Sequence, residues 1–375
     1  MVIPWGRPRG RGCAVTLSAA ALRHNLQRVR EVAPHCRITA AVKADGYGHG
    51  LLPVARALAA ADALGVASID EALQLREAGI TTPITLLEGF FHADELPLLA
   101  PLQITPVLHR FGQIEQLERY SGRIAPLALW VKIDSGMHRL GFPATAAAAV
   151  WRRLRRCAAV RSVVGFMTHL ATADRPDDPQ LAAQLHTFAS ATEALPGARS
   201  VANSAALLQT PASHYQWVRP GLMLYGISPF VGGRAADHQL QPVMTLSSEV
   251  IAIHHLAAGE AIGYGGSYRT PQPMAVGIIA IGYGDGYPRH AANGTPVLIR
   301  GVIVPLIGRV SMDMIAVDLR ALPTAQVGDR AILWGDPQLP IEAVAAGATT
   351  IPYELTCGIT ARVRRRWLNV TGVAS

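Results

Sequence analysis

Through the first two thirds of the chain, short apolar runs alternate with stretches in which apolar residues recur every three or four positions. Residues 37–43 (RITAAVK) read as a strand and 51–60 as an amphipathic helix. Residues 63–66 read as a strand, followed by a helix opening at Ser68, where Ser68 and Glu71 have capping-box spacing. Residues 84–87, 104–108, 127–133, 160–167 and 201–202 read as further strands, and a last apolar run reaches Arg219. Strands alternating with helices predict a parallel sheet. About eight such units fit a (β/α)8 barrel of the TIM type. After Pro242 the rhythm changes. The runs 243–253, 274–281, 295–303, 315–319 and 331–333 are rich in Val, Ile and Thr and separated by Gly, Pro and Asp. They predict a mainly antiparallel β domain. The expected layout is a barrel over residues 1–240 and a β domain over 241–375, and the pattern leaves open whether the first dozen residues pair with the β domain.

Composition agrees with a large buried core: half of the 375 residues are hydrophobic and 16% are charged. The net charge of +8 raises the question of nucleic acid. The basic residues fall in separate groups, however: Arg7, Arg9 and Arg11; Arg152, Arg153, Arg155 and Arg156; Arg362, Arg364, Arg365 and Arg366. None is interleaved with aromatics as a stacking platform would be, so solvated faces with affinity for small anions are expected instead. Cys13, Cys36, Cys157 and Cys357 form no metal or disulfide spacing, which predicts a reducing, cytoplasmic setting. No apolar run has the length of a membrane span. Residues 13–22 faintly resemble a secretory signal after three arginines. A strand followed by a helix is the preferred reading, because Leu22, Leu26 and Val29 continue a helical stripe past the supposed cleavage point.

Two segments suggest chemistry. In 41–50 (AVKADGYGHG), Lys43 ends an apolar strand just before a glycine-rich turn. The C-terminal ends of barrel strands carry catalytic residues, and a partly desolvated lysine there can form a Schiff base with an aldehyde. A lone Lys-x-Asp-Gly is more often a solvated turn. Further on, Asn203-Ser204 and Arg219-Pro220-Gly221 follow the last two predicted strands, where barrels commonly bind phosphate. The Ser204 hydroxyl and the backbone N–H groups near Ser204 and Gly221 are suitable donors. No Walker, GxGxxG, GxSxG or HExxH motif stands at a usable position. His254 and His255 are adjacent and would point to opposite faces of a strand, so no metal site is expected.

With those residues in view, AVKADGYGHG resembles the cofactor-lysine signature of alanine racemases. Eight more segments resemble that family's motifs in the same order: VKIDSGMHRLGF (131–142), GFMTHLATAD (165–174), VANSAA (201–206), VRPGLMLYG (218–226), GYGGSY (263–268), GYGDGYPR (282–289), GRVSMDM (308–314) and PYELTCGITARV (352–363). The resemblance implies a barrel that binds pyridoxal 5'-phosphate through Lys43. Tyr47, Ser204, Gly221 and Tyr353 would hold its phosphate, and His169 and Asn203 would lie in the cofactor site. Arg219 would face the pyridine nitrogen. Arginine is effectively always protonated, so that nitrogen would stay unprotonated and misplaced reprotonation at the cofactor would be suppressed.

Racemisation needs one acid/base group on each side of the α-carbon. The resemblance assigns these roles to Lys43 and Tyr264. A free phenol has a pKa of about 10, so Tyr264 needs help; the resemblance places His169 beside it, with Arg219 further along the chain of hydrogen bonds, and a positive neighbour lowers a phenol's pKa. Arg139 would contact the cofactor oxygen and the substrate carboxylate, steadied by Lys132 in carbamylated form. Met312 and Asp313 would bind substrate. Tyr283, Arg289, Arg309 and Tyr353 would line the entrance and favour a side chain as small as methyl. The resemblance further implies a homodimer whose β domain covers the partner's barrel, so that Tyr264, Met312, Asp313, Tyr283, Arg289 and Arg309 enter from the partner. Ser311 stands where some relatives have cysteine, and His138 is assigned no role. Three other readings compete. A broad-specificity racemase would be expected to carry an export signal. A non-catalytic pyridoxal-phosphate-binding protein would lack the second domain. A decarboxylase of basic amino acids would want a protonated ring nitrogen, which Arg219 disfavours.

Overall fold

The computed structural model describes residues 10–175 and 177–368. Of the basic groups, Arg7 and Arg9 lie outside the described residues. The chain forms two compact units. One holds Leu22–Leu224 and Ser228–Leu240; the other holds the described residues before Leu22, Tyr225–Ile227, and those from Gln241 on.

The first unit is the predicted barrel. Its eight strands are Arg37–Ala41, Ala63–Val66, Ile84–Leu86, Ile104–Leu108, Leu127–Asp134, Val160–Met167, Ala198–Ser200 and Trp217–Val218. Each is hydrogen-bonded parallel to the next, and Trp217–Val218 pairs with Arg37–Ala41 to close the ring. Short, β-branched or aliphatic runs suit strands covered on both faces; Ile38, Leu64, Leu86, Leu129, Val131 and Phe166 are wholly buried. The helices show the expected single apolar stripe. In Phe111–Arg119, for example, Gln113, Ile114 and Leu117 are the buried positions.

Two expectations in this unit are corrected. The seventh strand is Ala198–Ser200 rather than 201–202. Gly165 in the preceding strand lets the chains approach so closely that a Cβ there would lie 1.9 Å from Ala198 O, which fixes the pairing at that point. Val201 and Ala202 are buried just past the seventh strand, and Ala202 O still accepts from Arg219 N (2.8 Å), carrying the register one step beyond it. The capping box at Ser68 does not form: the Ser68 side chain makes no cap hydrogen bond. The Glu71 carboxylate instead accepts from Ala67 N (2.8 Å) and Ala44 N (2.7 Å), tying the helix to the lysine turn.

The second unit is an eight-stranded sheet with one long strand, Met244–Leu256, as its axis. One part pairs antiparallel with Ala14–Ser18 and Arg330–Trp334, and the part beyond an irregularity between Val250 and Ala252 pairs with Met274–Ile279. All pairings are antiparallel except Ala14–Ser18 with Arg364–Leu368. Residues just after the first dozen thus pair with the β sheet. The run 295–303, read as one strand, is a hairpin of Pro296–Ile299 and Val302–Ile307. Its tip, Arg300-Gly301, has φ of 48° and 79°, the two positive values of a tight I′-type turn. Arginine in place of the usual asparagine hid it. The run 13–22 folds as a strand and the start of the helix Ala19–Val32, whose Leu22, Leu26 and Val29 are buried.

Candidate active site

Lys43 stands two residues beyond the first barrel strand. Val42 N still donates to Gly65 O, and then the backbone winds left-handed. Ala44, Asp45, Gly46 and Tyr47 have φ of 54°, 53°, 61° and 53°. Three of these carry a Cβ, and each such residue costs about 1–2 kcal/mol there. The turn persists because it is tethered on several sides: Ala44 N to Glu71, Leu51 N to Asp45 Oδ1 (2.7 Å), and His49 Nδ1 to Tyr47 O (2.9 Å). Its consequence is the position of Tyr47. A Cβ built on Gly221 would lie 2.4 Å from the Tyr47 hydroxyl, so any larger residue in the loop after the last strand would displace that hydroxyl. Ala41 N donates to Pro220 O across the same seam (3.0 Å). Barrel closure thereby brings Lys43, Tyr47, Arg219 and Gly221 together.

Arg219 is held by oxygens that carry no charge. Nη1 donates to Ser200 O and Ser200 Oγ, both at 2.7 Å, and Nη2 donates to Thr168 O and Val201 O. Burial pulls its pKa down to about 10, so it remains a cation at neutral pH. Lys132, near the end of its strand, is pushed down to about 8 by burial and then by Arg219, Arg139 and Lys43. His169 is driven well below its ordinary value by burial, followed by the same cations and Lys132. It is therefore neutral at neutral pH, and Arg219 is the fixed charge of this cluster. Lys132, Arg139 and His169 line one narrow crevice with Met137 and Thr168. The turn before Arg139 is shaped by Asp134, which accepts from the backbone N–H groups of Gly136 and His138 and bonds the His138 ring.

Ser204 Oγ accepts two backbone N–H bonds, from Gly221 (3.0 Å) and Met223 (3.2 Å). With both acceptor positions filled, its own proton is left to donate to another group. The Gly221 N–H, expected to reach a phosphate, is already engaged in this bond. The amide oxygen of Asn203 caps the short helix after it by accepting from Ala206 N. Glu88 was missed. It follows the third strand and lies 3.6 Å from Lys43 Nζ; an acidic residue just past a barrel strand was the available signal.

In the β unit, Tyr264 projects from a turn between the paired residues Ala261–Ile262 and Tyr268–Arg269, and is exposed. Arg309 reaches over this turn, with Nη1 3.3 Å from the Cβ position of Gly265. Two residues on, Ser311 O and Met312 O accept from Tyr283 N (3.0 Å) and Gly284 N (2.8 Å). The segment 309–312 therefore links the Tyr264 turn to the Tyr283 turn. Arg289, Tyr283, Met312 and Tyr353 are exposed. Beneath them lies a network that sequence reasoning did not find. Asp285 is buried and paired with Arg11 and Arg362, both at 3.1 Å, and Arg362 also holds Asp313 (2.6 Å). Asp285 further accepts from Gly282 N, and its carbonyl accepts from Thr360 N. The Asp313 carboxylate, expected to bind substrate, is thus part of a scaffold fixing the Met312 and Tyr283 turns.

The barrel end gathers Lys43, Lys132, Arg139 and Arg219, with Glu88 3.6 Å from Lys43 and Asp134 in the crevice of Lys132 and Arg139, and offers hydroxyl donors from Tyr47 and Ser204. That donor set fits a ligand bearing a phosphate and a second anionic oxygen, joined to Lys43 through a carbonyl carbon.

Comparison with known proteins agrees across nearly the whole chain. The family model described as "Alanine racemase, N-terminal domain" matches residues 17–229, and "Alanine racemase, C-terminal domain" matches 243–367. A protein named alanine racemase from Nitrosococcus oceani is 57% identical over 93% of this chain and 97% of its own length. One from Halorhodospira halophila is 50% identical over 95% and 97%. Among solved structures, the biosynthetic alanine racemase from Pseudomonas aeruginosa superposes with a TM-score of 0.92 at 42% identity, covering 96% of this chain and all of that one. Among the described residues, no helix is long and apolar enough to cross a membrane.

Proposed function

This chain belongs to the alanine racemase family, and from that premise we propose that it interconverts L-alanine and D-alanine in the cytoplasm, with pyridoxal phosphate held by Lys43 and the α-proton handled by Lys43 and Tyr264. The product would serve peptidoglycan precursors or alanine breakdown. One observation carries the reading best: Arg219, a cation locked onto neutral oxygens, stands in the same seam as Lys43. Bound there, the cofactor supplies an electron sink that acidifies the α C–H of an attached amino acid. If Arg219, rather than a carboxylate, faced its ring nitrogen, that sink would be limited and return of the proton to the α-carbon favoured, which argues against the decarboxylase reading.

Tyr47 and Ser204 would hold the phosphate through their hydroxyls, with Tyr353 and the Gly221 loop completing the cradle. Arg139 would bind the cofactor's phenolic oxygen and the alanine carboxylate, helped by the Met312 backbone N–H of the partner subunit. Lys43 Nζ takes or returns the proton on one side of the α-carbon, and the phenol oxygen of Tyr264 of the partner subunit does so on the other. A neutral His169 can pass a hydrogen bond to that phenol but not a charge. Its help must therefore be relayed from Arg219. Lys132, with a pKa of about 8, is neutral often enough to add carbon dioxide. The resulting carbamate, formed with loss of a proton to solvent, would place a negative charge among the three remaining cations, Arg219, Arg139 and Lys43, and steady Arg139.

Gly221→Ala tests the cradle alone. The added methyl would overlap the Tyr47 hydroxyl, and tight overpacking costs about 1–3 kcal/mol. The dissociation constant for pyridoxal phosphate, titrated into apoprotein, should rise about tenfold or more. An unchanged constant would remove Tyr47 and Gly221 from the cofactor site.

The whole reading is tested by incubating the protein with L-alanine in deuterium oxide. Both enantiomers should appear, with deuterium at the α-position. A visible absorbance band without α-proton exchange would favour a non-catalytic binding protein. Turnover of lysine or arginine at rates matching alanine would favour the broad-specificity reading.

A further inference from the structure

The basic run at 152–156 takes no part in this chemistry. It lies on the helix Ala147–Arg155, whose buried face is Ala147, Val150 and Leu154. Arg152, Arg155 and Arg156 are exposed. Cations suit a helix C-terminus, but one or two suffice, and here the pairs 152/155, 152/156 and 153/156 set like charges at neighbouring positions, each costing about 0.2–0.5 kcal/mol. Little opposes them. Glu118 takes Arg153 in a two-pronged pair at 2.8 Å, and Glu115 adds a weaker pull on the same arginine. Arg155 lies over the Trp151 ring, 5.3 Å from its centre.

The run divides two clefts. One, of about 560 Å³, is lined by Arg152, Arg153, Arg156, Ser121 and Cys157, and by Glu118, whose carboxylate is taken up by Arg153. The other, of about 400 Å³, is lined by Trp151, Arg155, Arg161, Ser162 and Gly197. Arg161 and Gly197 stand at the starts of barrel strands, whereas Lys132 and His169 stand at the ends. The clefts therefore occupy the end of the barrel opposite Lys43. Guanidinium groups recognise phosphate with paired hydrogen bonds, and the stack of Arg155 on the Trp151 indole can be extended by a base ring.

We propose that these clefts form one binding site for a ligand with two or more linked phosphates, the chain lying along Arg152 and Arg156, with Trp151, Arg155 and Arg161 taking a nucleoside base if one is attached. The site is independent of the racemase reading.

The test uses the full chain saturated with pyridoxal phosphate, so that the phosphate positions near Lys43 are filled. Inorganic tripolyphosphate is titrated by calorimetry, with orthophosphate and ATP in parallel. Tripolyphosphate should bind saturably, and at least about tenfold more tightly than orthophosphate. The Arg152→Gln/Arg156→Gln double variant should weaken it about tenfold or more, and Arg152→Lys/Arg156→Lys should recover only part of the loss, because lysine lacks the paired donors. Alanine turnover without the probe should be unchanged in both. ATP binding tighter than tripolyphosphate, with the gain lost in Trp151→Phe and Arg161→Gln, identifies a nucleoside polyphosphate. Equal binding of the two identifies the inorganic chain. Orthophosphate binding as tightly as tripolyphosphate, absence of saturation, or binding indifferent to the double variant overturns the proposal.

Discussion

Lys43→Ala is expected to abolish the visible absorbance of the lysine-bound cofactor and to lower racemisation by about 10⁴-fold or more, since the residue is both anchor and proton carrier. The variant should fold. Lys43 is partly exposed and its ion pair with Glu88 is long and solvent-accessible, so its loss changes stability by no more than about 1 kcal/mol. The left-handed turn behind it is tethered through Ala44, Asp45 and His49, none of which depends on the lysine side chain. Pyridoxal phosphate should still bind, weakly and without the band, through Tyr47, Ser204 and Arg219. Two results would count against the assignment. A retained band would show that another lysine carries the cofactor, and Lys132, partly neutral, would be the next to replace. Complete loss of both the band and thermal stability would instead make the turn itself dependent on Lys43.

How far the sequence could be read follows from the range of the interactions. The barrel rhythm and the lysine at a strand end were legible because both are local: a run, a turn, a position. Gly221 was legible as a loop glycine, but the reason for it, the Tyr47 hydroxyl, required knowing that the first and last strands meet. The left-handed path of Ala44, Asp45 and Tyr47 was hidden because only Gly46 in that stretch announces a positive φ. The neutrality of His169 could not be read at all, because it arises from burial and from four cations that three different strand ends contribute: Lys43, Lys132 with Arg139, and Arg219. The Arg11–Asp285–Arg362–Asp313 network joins residues up to 302 positions apart. In the sequence its arginines looked like members of two loose basic groups, and its buried aspartate like one more turn residue between glycines.

Tyr264→Phe is the sharper test, because it separates proton transfer from everything else. The residue is 67% exposed in the single chain, so removing its hydroxyl leaves no cavity in the fold of its own subunit, and the stability of that fold should be unchanged. Cofactor absorbance should be retained. Racemisation should fall by about 10²–10⁴-fold, and by the same factor from either enantiomer, since the two have equal free energies and the equilibrium constant is fixed. Exchange in deuterium oxide should not fall equally. Lys43 still serves its own side of the α-carbon, so one enantiomer should keep exchanging its α-proton with configuration retained while the other stops. Equal loss of exchange for both enantiomers, or racemisation that survives, would end the two-base assignment. The same variant tests where the phenol comes from. If Tyr264 reaches the barrel of the partner subunit, a hybrid of a Tyr264→Phe protomer with a Lys43→Ala protomer has one site with both groups intact and one with neither. Mixing the two inactive variants under conditions of subunit exchange should then restore up to about a quarter of the wild-type rate, because about half of the dimers are hybrids with one working site of two. If each site is built within one chain, every site in the mixture lacks one group, and mixing restores nothing.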